Sequence, residues 1–298
     1  MKATGPLLAK GFLARSVDEL KRRSSIAWKL EAVKGPSGPR PLYDFHTRAA
    51  VNDCITMSDN LIGGSSESNL DFVDRRDTNT DTSSSVQTSS PAGYARFHGR
   101  ISTSLPQGRP NIQRSGYAAF RTPDQPPTIF GKAVWDIDPY TYLAMRIKSD
   151  GRAYFINLQT EAVEPTDLHQ HRLFAKRPGH WETVMVKWND FVRTNHGFVV
   201  EPQTELLRQK VRSVGIGLTD RIEGPFELCI AQVWATNHVT EGATVVTSEE
   251  SGLKNRKGKR FTGNGIAGGV SSRQARRLSI FMKYMVARIR SHAEEIAR

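Results

Sequence analysis

The strongest constraint this chain places on its own fold is a series of short runs in which apolar and polar side chains alternate. Ala95, Phe97, Gly99 and Ile101 alternate with Arg96, His98 and Arg100. Comparable runs occupy 134–137, 143–147, 153–158, 181–188, 211–218 and 226–234. Turn formers such as Ser149-Asp150-Gly151, Arg177-Pro178-Gly179 and Glu223-Gly224-Pro225 separate several of them. Side chains two apart along an extended backbone share a face, so each run offers one apolar face to a core. Many such runs with Gly, Pro and Asp turns between them predict an antiparallel all-β sandwich. Between 90 and 240 only 204–210 reads as a short helix.

The charge divides the chain differently. Residues 1–40 hold nine basic and three acidic side chains, 41–240 hold 21 and 22, and 241–298 hold 12 and five. The formal charge of +12 therefore sits at the two ends around a neutral middle. A nucleic-acid binder carries its excess as a patch on the folded domain, so no nucleic acid is expected as a partner. No apolar stretch approaches the roughly 18 residues of a spanning helix, which excludes a chain that crosses a bilayer in that way. Residues 1–15 are basic, lack acids and group Leu7, Leu8, Phe12 and Leu13 on one side of a helix, as organellar addresses do. An ordinary exposed helix is the alternative, given Asp18 and Glu19 and the basic run Lys21-Arg22-Arg23.

These shifts predict four segments: a basic extension over 1–40, the sandwich over 41–240, a Gly/Lys/Arg-rich linker over 241–271, and a helix over 272–298. Within the sandwich, 74–90 has Val86 as its one aliphatic residue and reads as a flexible surface loop. In the last segment Leu278, Met285, Ile289, Ala293 and Ile296 recur at helical spacing, with Arg276, Arg277, Lys283, Arg288 and Arg290 on much of the rest. Such a helix suits an anionic membrane surface or a partner groove, or packs back on the sandwich.

Little in the core announces catalysis. Gly263, Gly265 and Gly268 satisfy G-x-G-x-x-G, but a lysine- and arginine-rich run precedes them where dinucleotide binding needs a buried strand. His169 and His171 have a metal-like spacing without an evident third ligand, and no metal or other cofactor is expected. The two cysteines, Cys54 and Cys229, form no C-x-x-C pair and read as separate thiols rather than a long-range disulfide. Trp135, Trp181, Trp188 and Trp234 sit in or beside strands, where the core reading is favoured over an exposed sugar-stacking platform.

The most specific stretch is Ser58-Asp59-Asn60-Leu61-Ile62-Gly63-Gly64-Ser65-Ser66, a tight turn in which Asp59 or Ser65 can satisfy nearby amides. Downstream come Gly116-Tyr117-Ala118-Ala119-Phe120-Arg121, Ser149-Asp150-Gly151-Arg152, Pro178-Gly179-His180-Trp181-Glu182, Trp188-Asn189-Asp190-Phe191, Leu218-Thr219-Asp220 and Gly224-Pro225-Phe226. In this order and spacing the series resembles the complex I intermediate-associated protein 30 family over about residues 43–236. The departures are the insertion around 74–90 and Ala50-Val51-Asn52 where the family often has a tryptophan.

The resemblance implies a galactose-binding-like jelly-roll sandwich and a non-catalytic factor in the assembly of mitochondrial respiratory complex I. Its partners would be complex I assembly intermediates and other assembly factors at the matrix face of the inner membrane; the basic 272–298 helix would add peripheral contact to anionic lipid. It supplies no catalytic residue. It marks Asp59, Gly63, Gly64, Ser65, Gly116, Asp150, Gly151, Trp181, Asp190, Phe191 and Asp220 as turn and core determinants bordering a partner surface. A carbohydrate- or protein-binding module of the same fold is the alternative, needing exposed aromatics on one face. A nucleotide-dependent enzyme has only the Gly-rich tail behind it.

Overall fold

The computed structural model describes residues 11–28, 38–74, 91–106, 114–162, 164–195, 197–240 and 242–246, together with 36 and 112. The 272–298 segment, most of the 74–90 stretch and nearly all of the expected 241–271 linker lie outside the described residues. Arg276, Arg277, Lys283, Arg288 and Arg290 therefore have no structural placement here. Among the described residues no helix is long and apolar enough to cross a membrane.

The alternating runs form two sheets packed face to face. The first has the order β14 (Thr244–Val246), β9 (Glu182–Lys187), β6 (Tyr142–Ser149), β13 (Gly224–Thr236), β4 (Gly93–Ile101), β3 (Glu67–Asp74). The short strand β1 (Arg40–Asp44) pairs with the second half of β13, leaving the first half to β4. The second sheet has the order β11 (Phe198–Val199), β10 (Val192–Asn195), β8 (Asp167–Arg172), β7 (Tyr154–Thr160), β12 (Val211–Leu218), β5 (Ala118–Arg121), β2 (Ile55–Ser58). Every pairing is antiparallel except β14 with β9. This is the β-sandwich that the alternation predicts.

Burial follows the period of two. Along β7, Tyr154, Ile156, Leu158 and Thr160 are buried while Phe155, Asn157 and Gln159 are half-buried on the opposite face. Aromatic rings join the two layers. Phe120 of β5 lies 5.0 Å from Phe97 of β4, and Phe97 lies 4.9 Å from Phe226 of β13. Tilted ring pairs at these separations add to the transfer of their area from water.

Two helices accompany the sandwich among the described residues. α1 (Phe12–Trp28) precedes it, and α2 (Arg48–Asn52) is capped by Thr47, whose side chain accepts from the Ala50 amide at 3.3 Å. Where a helix was expected over 204–210, the chain forms a single 3-10 turn at Arg208–Lys210.

The first sheet runs past residue 240, the expected end of the sandwich, because β14 adds an edge strand. The reason is a buried carboxylate. Glu182, fully inaccessible, accepts from the amides of Lys176 (3.2 Å) and Arg177 (2.9 Å) and from the Thr244 hydroxyl (3.1 Å). Without Thr244 one acceptor direction of that carboxylate would face the core unpaired, which is costly.

Candidate partner surface and the motif residues

The first motif closes on Asp59, which is fully buried. It opens a 3-10 turn, Asp59–Ile62, and its carboxylate accepts three hydrogen bonds: from the Ser66 amide (2.8 Å), the Ser66 hydroxyl (2.9 Å) and the Gly116 amide (2.6 Å). The two glycines follow from that arrangement. Gly63 ends the turn at φ 90°, in the left-handed region. A Cβ on Gly64 would stand 2.7 Å from Asp59 Oδ1 and 2.8 Å from its Cβ, so any side chain there displaces the carboxylate. Ser65, singled out with Asp59 from the sequence, points away and is exposed. The neighbour, Ser66, makes the bonds. Its hydroxyl also accepts from the Ser102 amide at 3.0 Å.

A second cluster forms around Arg152, which sequence reasoning did not single out as a site residue. Its guanidinium donates to both Asp220 oxygens (3.0 and 2.7 Å), to the Gly224 and Pro225 carbonyls (3.2 and 2.9 Å), and to the Ile222 carbonyl. Asp150 accepts from the Tyr154 hydroxyl (3.0 Å) and the Glu227 amide (2.8 Å), tying the turn after β6 to β13. Gly151 completes that turn at φ 91°. The signal that could have found Arg152 is its place beside an Asp-Gly turn, since a planar fork of five donors suits converging carbonyls and a carboxylate.

The two clusters belong to one end of the sandwich. Ser66 reaches Ser102, the next residue Thr103 donates to Glu223 from its amide (3.0 Å) and hydroxyl (2.7 Å), and Glu223 lies between the Arg152-bound Ile222 and Gly224 carbonyls. Those donors hold the exposed Glu223 carboxyl below its usual range. The loop leading to β9 joins them, because the Gly179 amide donates to the Ser149 carbonyl at 2.7 Å. Asp59, Gly63, Gly64, Gly116, Asp150, Gly151 and Asp220 are thus linked through loops of both sheets.

Trp181 stands where that end meets the outer face of the first sheet. Its ring lies 5.1 Å from Tyr94 at an interplanar angle of 72°. Alternation places Arg96 on the face of Tyr94, and Cys229 is registered between Arg96 and Lys148 on the neighbouring strands. Arg146 stands on the same face of β6 as Lys148. Burial and the nearby Arg177 guanidinium hold Arg146 below its usual range. The expectation of four core tryptophans needs correction. Trp135 and Trp188 are buried, but Trp181 and Trp234 are half-exposed, because their positions share parity with the outward residues of β9 and β13. Trp188 and Phe191 lie beyond the other end of β9, their rings stacked 6.0 Å apart inside the core. Asp190 is half-buried beside them, and burial raises its carboxyl.

His169 and His171 share the core face of β8, and His171 packs 5.6 Å from the Phe191 ring. Burial pushes both imidazoles down to about 4, so they are neutral near pH 7. Among the described residues no group of three His, Cys, Asp or Glu side chains is placed to hold a metal ion. The two cysteines are free thiols, and burial pushes Cys54 up to about 11 and Cys229 up to about 12.

With this geometry in view, comparison with known proteins is specific. The family model described as Complex I intermediate-associated protein 30 matches residues 43–230. A Neurospora crassa protein named complex I intermediate-associated protein 30, mitochondrial, is 53% identical over 267 residues, covering 87% of this chain and 96% of that protein. The mouse protein of that name is 26% identical over 66% of this chain and 58% of its own length. Among solved structures, a family 11 carbohydrate-binding module of Clostridium thermocellum superposes with a TM-score of 0.45 at 14% identity, covering 69% of this chain and 98% of the module. The motif series and the family match agree: the chain belongs to the complex I intermediate-associated protein 30 family.

Proposed function

We propose that this protein is a non-catalytic assembly factor of mitochondrial respiratory complex I, which holds an assembly intermediate at the matrix face of the inner membrane. The observation that carries the reading is the 53% identity to the Neurospora crassa protein over nearly the full length of both chains. The motif residues support it chemically. The carboxylates of Asp59, Asp150 and Asp220 are engaged in holding loops together, and the two thiols and the imidazoles of His169 and His171 are kept neutral by burial. That arrangement suits a rigid surface.

The contact surface proposed for the intermediate is the outer face of the first sheet around Tyr94 and Trp181, where Arg146 and Lys148 supply positive charge. The basic 272–298 segment is proposed to aid attachment to the membrane or to a subunit, each Lys or Arg near an anionic surface contributing roughly 1 kcal/mol. The test is a deletion strain analysed by native gel electrophoresis of mitochondrial membranes. Assembled complex I is expected to fall, partial assemblies to accumulate, and the full chain to restore the mature complex. Wild-type levels of complex I in the deletion strain would overturn the proposal.

A further inference from the structure

α1 is docked the unusual way round. Its contacts with the body are polar: the Ser16 hydroxyl accepts from the Ile129 amide at 3.1 Å, Arg15 donates to the Pro127 carbonyl at 3.4 Å, and the Arg23 guanidinium lies 4.5 Å from the centre of the Phe130 ring. Ser16 is buried, and Arg15, Glu19, Arg22 and Ile26 are half-buried on the same side. Glu19 is satisfied within the helix, held down to about 2 by the hydrogen bonds of Arg22 and Arg23.

The opposite side carries the apolar residues. At about 100° per residue, Leu13, Val17, Leu20 and Trp28 fall within an arc of about 80°. They are 73%, 47%, 52% and 91% exposed. Ile129 and Phe130, in the loop that holds the helix, add 59% and 40% exposure beside it. A helix that only needed to pack on the sandwich would turn this stripe inward.

We infer that α1 is an interfacial helix, lying in the plane of an anionic lipid surface with Leu13, Val17, Leu20 and Trp28 directed into it. Charge decides for lipid. Residues 12–28 hold Arg15, Lys21, Arg22 and Arg23 against Asp18 and Glu19, and Lys21 borders the stripe, where a long cationic side chain reaches back to phosphates while its stem stays with the apolar face. A second, separate element contributes Ile129 and Phe130 beside the stripe, which widens the apolar area beyond one helix face. The inference has a consequence for processing: residues 12–28 belong to the working protein, so any address that is removed must end before Phe12. It deepens the membrane contact proposed above and does not depend on the complex I assignment.

The test uses the full chain and two readouts. The protein recovered from mitochondria is first mapped by mass spectrometry, and peptides from 12–28 are expected; a mature protein that starts after Trp28 would overturn the inference. Co-sedimentation is then measured with phosphatidylcholine vesicles with and without phosphatidylglycerol. Binding is expected only with the anionic lipid, and the Leu13→Ser/Leu20→Ser variant is expected to lower partitioning by about tenfold or more. Both leucines are exposed, so the thermal melt should not move. Trp28 fluorescence should be quenched by brominated lipid, an effect that Trp28→Phe removes. Equal lipid binding by parent and variant would overturn the inference. So would a variant that binds lipid normally but no longer co-purifies with complex I subunits, which would make the stripe a protein-docking face.

Discussion

Replacing Asp59 by alanine tests whether the first motif is a structural lock. The substitution removes the acceptor for the Ser66 amide, the Ser66 hydroxyl and the Gly116 amide at a site with no solvent exposure. Leaving a buried donor unpaired costs about 1–3 kcal/mol. Three such donors, partly relieved by water entering the space of the lost carboxylate, give a loss of about 3–5 kcal/mol. Against a total stability of about 5–15 kcal/mol this is a large fraction. At about 2–4 °C per kcal/mol for a domain of this size, the melting temperature should fall by roughly 6–20 °C.

The measurement is thermal and urea unfolding of the full chain, followed by circular dichroism. Ser65→Ala serves as the control. Its side chain is exposed, so its effect should stay within about 0.5 kcal/mol. Gly64→Ala supplies an independent check through non-additivity. A Cβ at Gly64 meets the Asp59 side chain itself, so Gly64→Ala should cost less in the Asp59→Ala background than in the parent. A melting temperature for Asp59→Ala within 2 °C of the parent, or strict additivity with Gly64→Ala, would refute the reasoning.

Three further outcomes follow from other groups. His169 and His171 titrate near 6.5 when unfolded and near 4 when folded, so the unfolded chain binds more protons between those values. Stability should therefore drop as pH falls through that window, by about 1.4 kcal/mol per pH unit per histidine; urea midpoints at pH 7 and 5 should show it, and a His169→Gln/His171→Gln variant with an unchanged pH slope would contradict it. Arg152→Ala strips Asp220, 5% exposed, of its partner and should cost about 3–5 kcal/mol. Arg152→Lys should recover little, since a lysine cannot supply the fork, and near-parental stability of the lysine variant would count against the clamp. Cys54 and Cys229, with thiols near 11 and 12, should resist iodoacetamide at pH 8 until the protein is unfolded; rapid labelling of the native chain would show thiolate character that burial should suppress.

The sandwich was legible because a strand announces itself through a period of two, and the run 95–101 has it without interruption. The same rule would have placed Trp181 outward, since it shares parity with Lys187 and opposes Val184 and Val186; its size suggested the core, and the alternation prevailed. The motif glycines were legible as turn residues, but their reason was not. Gly64 is glycine because the Asp59 carboxylate occupies the space of its Cβ, a contact no local pattern shows. Ser66 and Arg152 were missed for a related reason. Their partners, Ser102 and Asp220, lie 36 and 68 residues away, and only folding brings them within bonding distance. β14 escaped because its three residues gain strand character from Glu182 and Thr244 rather than from a pattern of their own.

A family member with this sandwich is expected to handle complex I on its way to completion. Affinity purification of the tagged full chain from solubilised mitochondria tests it most directly. Complex I subunits are expected to co-elute as a partial assembly, and Trp181→Ala, at a half-exposed position outside the core, to weaken their recovery while the fold persists. Recovery of the protein from cytosol alone, with no complex I subunit attached, would contradict it.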